Sequence, residues 1–452
     1  MSKTVALLLV LVFLTASWLV SPLSVEADFN TILVPDDYST ITDAVGNATD
    51  GDTIFIKKGT YEIKENVIVI NKTLSIIGED QVDTGIVFPP DTRTGYELFS
   101  SKIGFRVIAD NFKISNLTIT NCDFGIQATG NGTQVSNILT SSIYLNGNYC
   151  KIYENSQIIT SSYQRPLTVK GSFNYIGHKN NFDIQCEGTF NNIIENSGDV
   201  TIEVKGNSNF IARNSVRDIN LDGSNSTTIY NNSVGTISLI GCYNNTVCGN
   251  IVNGPIPSWG VFMGTGSDNV FYGNNITDFN AVLWRNERPY GYGVAIGGDA
   301  ENNLFYHNNF VNNYKHVSAN WEISSVGNYW DNGETGNYWD DYSGLDSNSD
   351  GIGDAHYTIK GLTWDDDAYG HVETVFGQDH YPLMVPFDIS SVFIELPEWA
   401  PPTPVPSPFP SPEPESFPTA LIATASGVSV AIIGVGLLVY FKKRKHVIDP
   451  RV

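Results

Sequence analysis

The chain has 452 residues, with 48 acidic against 25 basic side chains and a formal net charge of −23. That balance excludes a nucleic-acid partner, which needs basic stripes to displace counterions from phosphate. It suits a soluble surface outside the cell.

Residues 1–27, MSKTVALLLVLVFLTASWLVSPLSVEA, read as a secretory signal. Lys3 supplies the positive start, Val5–Val20 the apolar core, and Val25-Glu26-Ala27 a small-residue cleavage site. Pro22 and Ser24 break the apolar run, so cleavage after Ala27 is expected rather than a retained anchor. The mature chain opens with a short helix expected at Thr40–Ala48 and strands expected at Thr53–Ile56, Val67–Ile70 and Leu74–Ile77. A helix there suits a cap, because the open end of a stacked fold exposes core and unpaired edge.

From residue 111 onward one phrase recurs: Asn, four residues with apolar ones among them, Asn. It reads NFKISN at Asn111–Asn116, NNIIEN at Asn191–Asn196, NFIARN at Asn209–Asn214, NTVCGN at Asn245–Asn250, NVFYGN at Asn269–Asn274 and NLFYHN at Asn303–Asn308. With weaker copies, the final asparagines fall at 116, 137, 155, 180, 196, 214, 232, 250, 274 and 308. Three successive steps from 196 to 250 are 18 residues each, and the later steps of 24 and 34 lengthen by insertion. A short period that grows by insertion marks a solenoid with surface loops. Apolar β-branched and aromatic residues between Gly, Asn, Ser and Asp punctuation make each repeat a strand–turn–strand coil. Stacked coils pair every backbone group with the coil above or below. Asn tolerates the left-handed corner, and its amide can accept from one coil while donating to the next. The Asn116–Asn308 series is therefore expected to form inward-pointing ladders at one corner. Sugar binding is the competing use of these amides, but the Asn recurs whatever its neighbours are.

The longest repeat, between Asn274 and Asn308, carries Arg285-Asn286-Glu287-Arg288 beside Trp284 and Tyr290, the one coil loop where a ligand groove is expected; a solvated loop is the plainer reading. Five cysteines, Cys122, Cys150, Cys186, Cys242 and Cys248, are an odd count. They suit apolar core filling, with Cys242–Cys248 the one pairing considered. Eight N-x-S/T sequons occur, at Asn47, Asn71, Asn116, Asn131, Asn225, Asn231, Asn244 and Asn275; Asn116 and Asn231 are expected on the ladder and buried.

Near the end of the repeats, DSNSDGIGD places Asp346, Asn348, Asp350 and Asp354 at relative positions 1, 3, 5 and 9 with Gly351 at 6. With the Ile352 carbonyl at position 7, this matches the first nine places of an EF-hand-type calcium loop. Tyr357 stands at position 12, where a bidentate Glu belongs, so Asp340 or one of Asp365–Asp367 has to complete the shell. A structural calcium ion pinning the C-terminal cap, residues 328–387, is the cofactor expected; an Asp/Asn/Gly turn held by its own side chains is the plainer alternative. Trp321, Tyr329, Trp330, Tyr338, Trp339, Tyr342 and Trp364 crowd the same region, as core-closing caps or as a sugar platform. Copper is not expected. The mature extracellular part has Met263 and Met384 and scattered His178, His307, His316, His356, His371 and His380, none at paired spacing on a strand.

The phrases VPDDYSTITDAV, DGDTIFIKKGTYE and NKTLSIIGED, with GNYWDDYSG, DSNSDGIGD and DHYPLM after the coils, resemble the NosD-like family, also described as carbohydrate-binding and sugar-hydrolase repeats, within the pectin-lyase-like class. The resemblance covers residues 29–386 and implies an all-β fold, a right-handed parallel β-helix, at a cell surface or in a periplasm.

Beyond the solenoid, expected at residues 28–387, comes a proline-rich stalk at residues 388–418. Pro397–Pro418 holds ten prolines in 22 positions. Residues 419–441 are uncharged and long enough for one transmembrane helix, and Lys442, Lys443, Arg444 and Lys445 in the tail 442–452 set its cytoplasmic face. The expected product is a single-pass cell-membrane protein with its solenoid outside. Two functions are open: a module that binds glycans or another surface protein, or a polysaccharide-active lyase, hydrolase or epimerase. The first is preferred because a fold alone does not imply catalysis. No motif for a catalytic acid pair is found in the sequence.

Overall fold

The computed structural model describes residues 30–90, 101–158, 165–254, 259–282, 289–319, 327–365 and 370–397. The signal segment, the Arg285–Arg288 loop, Trp321, the stalk beyond residue 397, the transmembrane segment and the basic tail lie outside these residues. Among the described residues no helix is long and apolar enough to cross a membrane.

Two sheets of sixteen strands each carry the described chain, and through the repeats the coils pass back and forth between them. The first sheet starts at Thr31–Val34, Thr53–Ile56 and Ser75–Gly78 and continues through Asn192–Ile194, Phe210–Ala212 and Thr228–Tyr230 to Leu304–Tyr306. The second starts at Ile68–Ile70 and continues through Thr201–Lys205, Ser215–Asp222 and Ser233–Ile240 to Tyr338–Trp339. Neighbours pair in parallel, and the short strands of the repeats pair without a register shift; one irregularity falls between Met263 and Thr265. This is a parallel β-helix, as the repeat predicts.

Register makes the core. Ile152, Ile176, Ile193, Ile211, Ile229, Val247, Phe271 and Phe305 fall opposite one another in successive coils and are fully buried. A strand of three residues turns only its middle side chain into the column, so stability comes from the column rather than from any one coil.

The asparagines form two ladders, one at each end of the short first-sheet strand. The final asparagines of the phrase run Asn155, Asn180, Asn196, Asn214, Asn232, Asn250, Asn274, Asn308 and on to Asn337. From Asn214 onward the Oδ1 of each accepts the backbone N–H of the asparagine one coil earlier, as between Asn196 and Asn214 at 2.9 Å, while Asn196 Oδ1 accepts from Asn180 Nδ2. The initial residues of the phrase form the second ladder: Asn174, Asn191, Asn209, Thr227, Asn245, Asn269, Asn303 and Asn328. Asn116 and Asn137 do not belong to the long ladder. Asn155 Oδ1 accepts from Ile138 N–H, so the ladder position falls on Ile138 in that coil. Asn116 and Asn137 instead take left-handed backbone, with φ of 58° and 50°, and bond to each other, half-buried. Asn231 is exposed, also left-handed, beside the buried Asn232. The expectation that these two sequons are buried therefore fails at Asn231 and half-fails at Asn116.

Both ends are closed. Helix α1 (Ile41–Asn47), N-capped by Thr40, buries Ile41, Ala44 and Val45. Lys72 Nζ donates to the carbonyls of Val45, Gly46 and Ala48, which a helix end leaves without partners. At the other end, Phe271, Phe305 and Trp330 stack at 4.6 Å steps, and Phe310 stacks on Trp339 at 4.3 Å. Trp330 and Trp339 are 1% exposed, so these two close the core rather than offer a platform. An antiparallel hairpin, Tyr357–Asp365 with Gly370–Asp379, lies against the edge strand Lys315–Ala319, where Ser318 Oγ donates to the Leu362 carbonyl. That placement covers an edge that would otherwise template another chain.

Residues 388–396, assigned to the stalk by sequence, run back along the first sheet. Val392, Ile394 and Leu396 pack on Ala212, Tyr230 and Cys248, and Tyr230 Oη donates to the Val392 carbonyl at 3.2 Å. All five cysteines are free, Cys242 and Cys248 included, and four of them are buried.

Candidate functional site

The outer surface offers an open trough of about 680 Å³ where each coil bends from the first sheet into the second. Ser197, Gly198 and Asp199 come from one coil, Ser215 and Arg217 from the next, Ser233 and Gly235 from the third, and Ile251 and Asn253 from the fourth. The bend follows from the long ladder. Asn196, Asn214, Asn232 and Asn250 turn each coil inward just before these residues, so the next side chain, Ser215 or Ser233, faces outward.

Arg217 dominates the trough's electrostatics. Its Nε donates to Asp218 Oδ2 at 3.0 Å, Nη1 to Asp199 Oδ1 at 3.1 Å and Nη2 to Thr201 Oγ1 at 2.7 Å. The bond to Asp218 raises its pKa against a small burial penalty, so it is a fixed cation and cannot serve as a base. Carboxylates, a guanidinium and hydroxyls at fixed spacing are the groups that recognise sugar hydroxyls from both the donor and the acceptor side.

A second surface feature lies at the other end of the first-sheet strand. Tyr149, Phe173 and Phe190 stack at 5.2 Å steps and are 62%, 49% and 52% exposed. All three have left-handed backbone, with φ of 59°, 59° and 56°. Bulky residues rarely take that conformation. The same corner in later coils holds Ser208, Ser226, Asn244 and Asp268, so folding does not require rings there. Asn148, Ser172 and Thr189 line the ridge with amides and hydroxyls. The sequence carries the signal as Gly147-Asn148-Tyr149, Gly171-Ser172-Phe173 and Gly188-Thr189-Phe190, a threefold recurrence that the Asn phrase overshadows.

The predicted calcium residues sit in one loop. Asp346 and Asn348 both accept the Asp350 N–H, at 3.2 and 3.1 Å, and Asp346 also accepts the Gly351 N–H at 2.9 Å. Asp350 accepts from Ile352 N–H and Asn348 Nδ2. Asp354 Oδ2 accepts the Ser347 N–H and Oγ–H within the same loop. The loop is tied to Pro382 and Met384 by the Gly353 N–H and the Gly351 carbonyl.

Another acidic group is closer knit. His316 Nε2 lies 3.1 Å from Asp340 Oδ1 and 3.4 Å from Asp341 Oδ1. Its other nitrogen meets Asn313 Nδ2 at 3.3 Å, and that amide is fixed because its Oδ1 accepts from Phe279 N–H and its Nδ2 donates to the Ile276 carbonyl. Nδ1 therefore accepts and Nε2 carries the proton, which makes His316 a donor clamp on two carboxylates rather than a metal ligand. Burial would raise the Asp341 pKa, but bonds from His316 and Tyr357 outweigh it and hold it low.

No protein-family profile matches the sequence, and no curated protein aligns with it significantly. Solved structures similar in shape include the PL6 family alginate lyase AlyGC, at 13% identity and TM-score 0.43 over 68% of this chain and 51% of that one. A mannuronan C-5 epimerase A-module from Azotobacter vinelandii follows at 12% identity and TM-score 0.37, covering 64% of this chain and 92% of that one. The pectate lyase Pel9A has 16% identity and TM-score 0.28, over 68% and 81%. The chain spans about half the length of the alginate lyase. At these scores the likeness transfers no activity, and the parallel β-helix stands on this chain's own strand pairing.

Proposed function

We propose that this protein is a surface-displayed β-helix that binds extended glycans along the Arg217 trough. The observation that carries the reading is the trough itself, where consecutive coils repeat outward hydroxyls beside a fixed Arg–carboxylate cluster. A repeating lining suits a repeating ligand. The ridge of Tyr149, Phe173 and Phe190 supplies an apolar contact for the same class of ligand. The secretory signal, the proline-rich stalk and the uncharged segment 419–441 support display outside a membrane through one C-terminal span. Kinship with NosD-like carbohydrate-binding repeats belongs to the same proposal.

Calcium in the Asp346–Asp354 loop is the cofactor of this reading, with Asp346, Asn348, Asp350, Asp354 and the Ile352 carbonyl as ligands. It is supported by their spacing. Bound calcium should raise the melting temperature and chelation lower it. Indifference to millimolar calcium defeats this part.

The test of the main proposal is a glycan array with the secreted solenoid, followed by titration of any hit against Arg217→Ala and Phe173→Asn. Each is expected to weaken binding at least about tenfold. An array without hits overturns the reading. Release of new reducing ends or unsaturated products from a bound polymer would establish the enzymatic alternative instead.

A further inference from the structure

The C-terminal hairpin makes a histidine pair that no sequence spacing announces. Its strands, Tyr357–Asp365 and Gly370–Asp379, begin and end with Tyr357 opposite Asp379. The residues just outside that pair, His356 and His380, are thereby brought side by side although 24 positions apart. Their ring centroids are 4.6 Å apart with planes at 73°, and both side chains are exposed.

Asp331 holds His380 in place. Its Oδ2 accepts the His380 backbone N–H at 2.9 Å and faces Nδ1 at 2.8 Å, while its Oδ1 accepts the Gly333 N–H at 3.0 Å. The Asp331 side chain is only 12% exposed, so this is a built support rather than a passing surface pair. A carboxylate on Nδ1 puts the ring proton there and leaves the Nε2 lone pair for another partner. That is the arrangement in which metal-ligating histidines are held.

We propose that His380 and His356 bind one late first-row divalent metal ion, with Asp331 as the positioning residue. The ring spacing fits. With metal–nitrogen bonds of about 2.0–2.1 Å, an imidazole centroid sits roughly 3.2 Å from the ion, so centroids 4.6 Å apart subtend about 90° there once one nitrogen of each ring turns to the ion. A near-right angle is a cis pair of a square-planar or octahedral shell, which leaves the other positions to water or an exogenous ligand. Imidazole selects zinc, nickel or copper over calcium. The pair is thus separate from the Asp346–Asp354 loop, whose donors are oxygens.

The test is calorimetric titration of chelator-treated secreted solenoid with zinc, nickel and cupric ions in excess calcium. One ion per chain is expected. His380→Gln and His356→Gln should each abolish it, Asp331→Asn should weaken it about 10–100-fold, and His178→Gln should leave it unchanged. Cupric ion should show two-nitrogen hyperfine structure in electron paramagnetic resonance, reduced to one nitrogen in either histidine variant. Both histidines are exposed, and unchanged melting of the metal-free variants checks that they fold. No binding, binding that survives either histidine substitution, or a single-nitrogen spectrum overturns the site.

Discussion

Each interior asparagine of the long ladder satisfies several groups in one corner. Asn214 Oδ1 accepts from the Asn196 N–H and Nδ2, and its own Nδ2 donates to the Ile193 carbonyl and Asn232 Oδ1. Replacement by Leu strands buried polar groups on both sides, so Asn214→Leu should lower stability by about 1–3 kcal/mol in urea unfolding. Asn116→Gly keeps the left-handed corner and loses one half-buried bond, so its effect should stay within about 0.5 kcal/mol. Equal losses at the two sites would refute the distinction. The ladder ends on an acid: Asn337 N–H donates to Asp379 Oδ2 at 2.7 Å, joined by Trp339 Nε1 at 2.9 Å, while Asp379 Oδ1 accepts from Tyr381 N–H. Burial raises the Asp379 pKa to about 6 against the pull of those bonds. The folded state therefore holds this proton more tightly than the unfolded chain. Its contribution is full below about pH 3.8 and is lost as pH rises through 6, at most roughly 3 kcal/mol for a shift near 2 units. Asp379→Asn should flatten the stability slope between pH 4 and 6.5. An unchanged slope would place the titration elsewhere.

At the scale of elements, the hairpin and the strap formed by residues 388–396 across the first sheet are the parts least legible in the sequence. The cap helix expected at Thr40–Ala48 stands at Ile41–Asn47, because an N-cap threonine and an apolar face are local signals. The strap was hidden because Val392, Ile394 and Leu396 alternate over too few residues to outweigh the prolines that follow. The His356–His380 pair was invisible for a related reason: hairpin register is set by pairing, not by spacing. The strap makes a testable claim. It covers Cys248, whose thiol burial pushes up to about 11. Ending the chain at Pro386 should expose Cys248 to thiol reagents while Cys186, fully buried between the sheets, stays inert. A Cys248 that remains unreactive would mean that the strap is not its cover.

Across the whole molecule, the repeat made the coil architecture legible while leaving the outer surface unread. The inward column and the ladders keep one kind of residue from coil to coil and so show as a period, whereas Asp199, Arg217, Gly235 and Asn253 hold the same place in successive 18-residue coils with a different residue type each time, so no motif marks the trough. A solenoid's stability is a sum over coils and their interfaces, so it need not be uniform along the axis. Both ladders run unbroken from Asn191 onward, and the long one reaches Asn337. The coils of Thr53–Ile56, Ser75–Gly78 and Lys113–Thr120 have no continuous ladder among the described residues; besides backbone pairing and the apolar column they share only scattered links, such as Thr73 N–H to Asp50 Oδ1 and Lys58 N–H to Glu79 Oε2. Hydrogen exchange should therefore show the amides of 192–248 opening only at high free energy and those of 53–120 opening first, from the N-terminal end. Asn214→Leu should move the boundary by letting the coils on either side of the gap open separately, which would appear as a second exchange class within 192–248. Uniform protection along the chain, or an unaltered pattern in the variant, would show that the ladders merely decorate a stack already cooperative through its sheets.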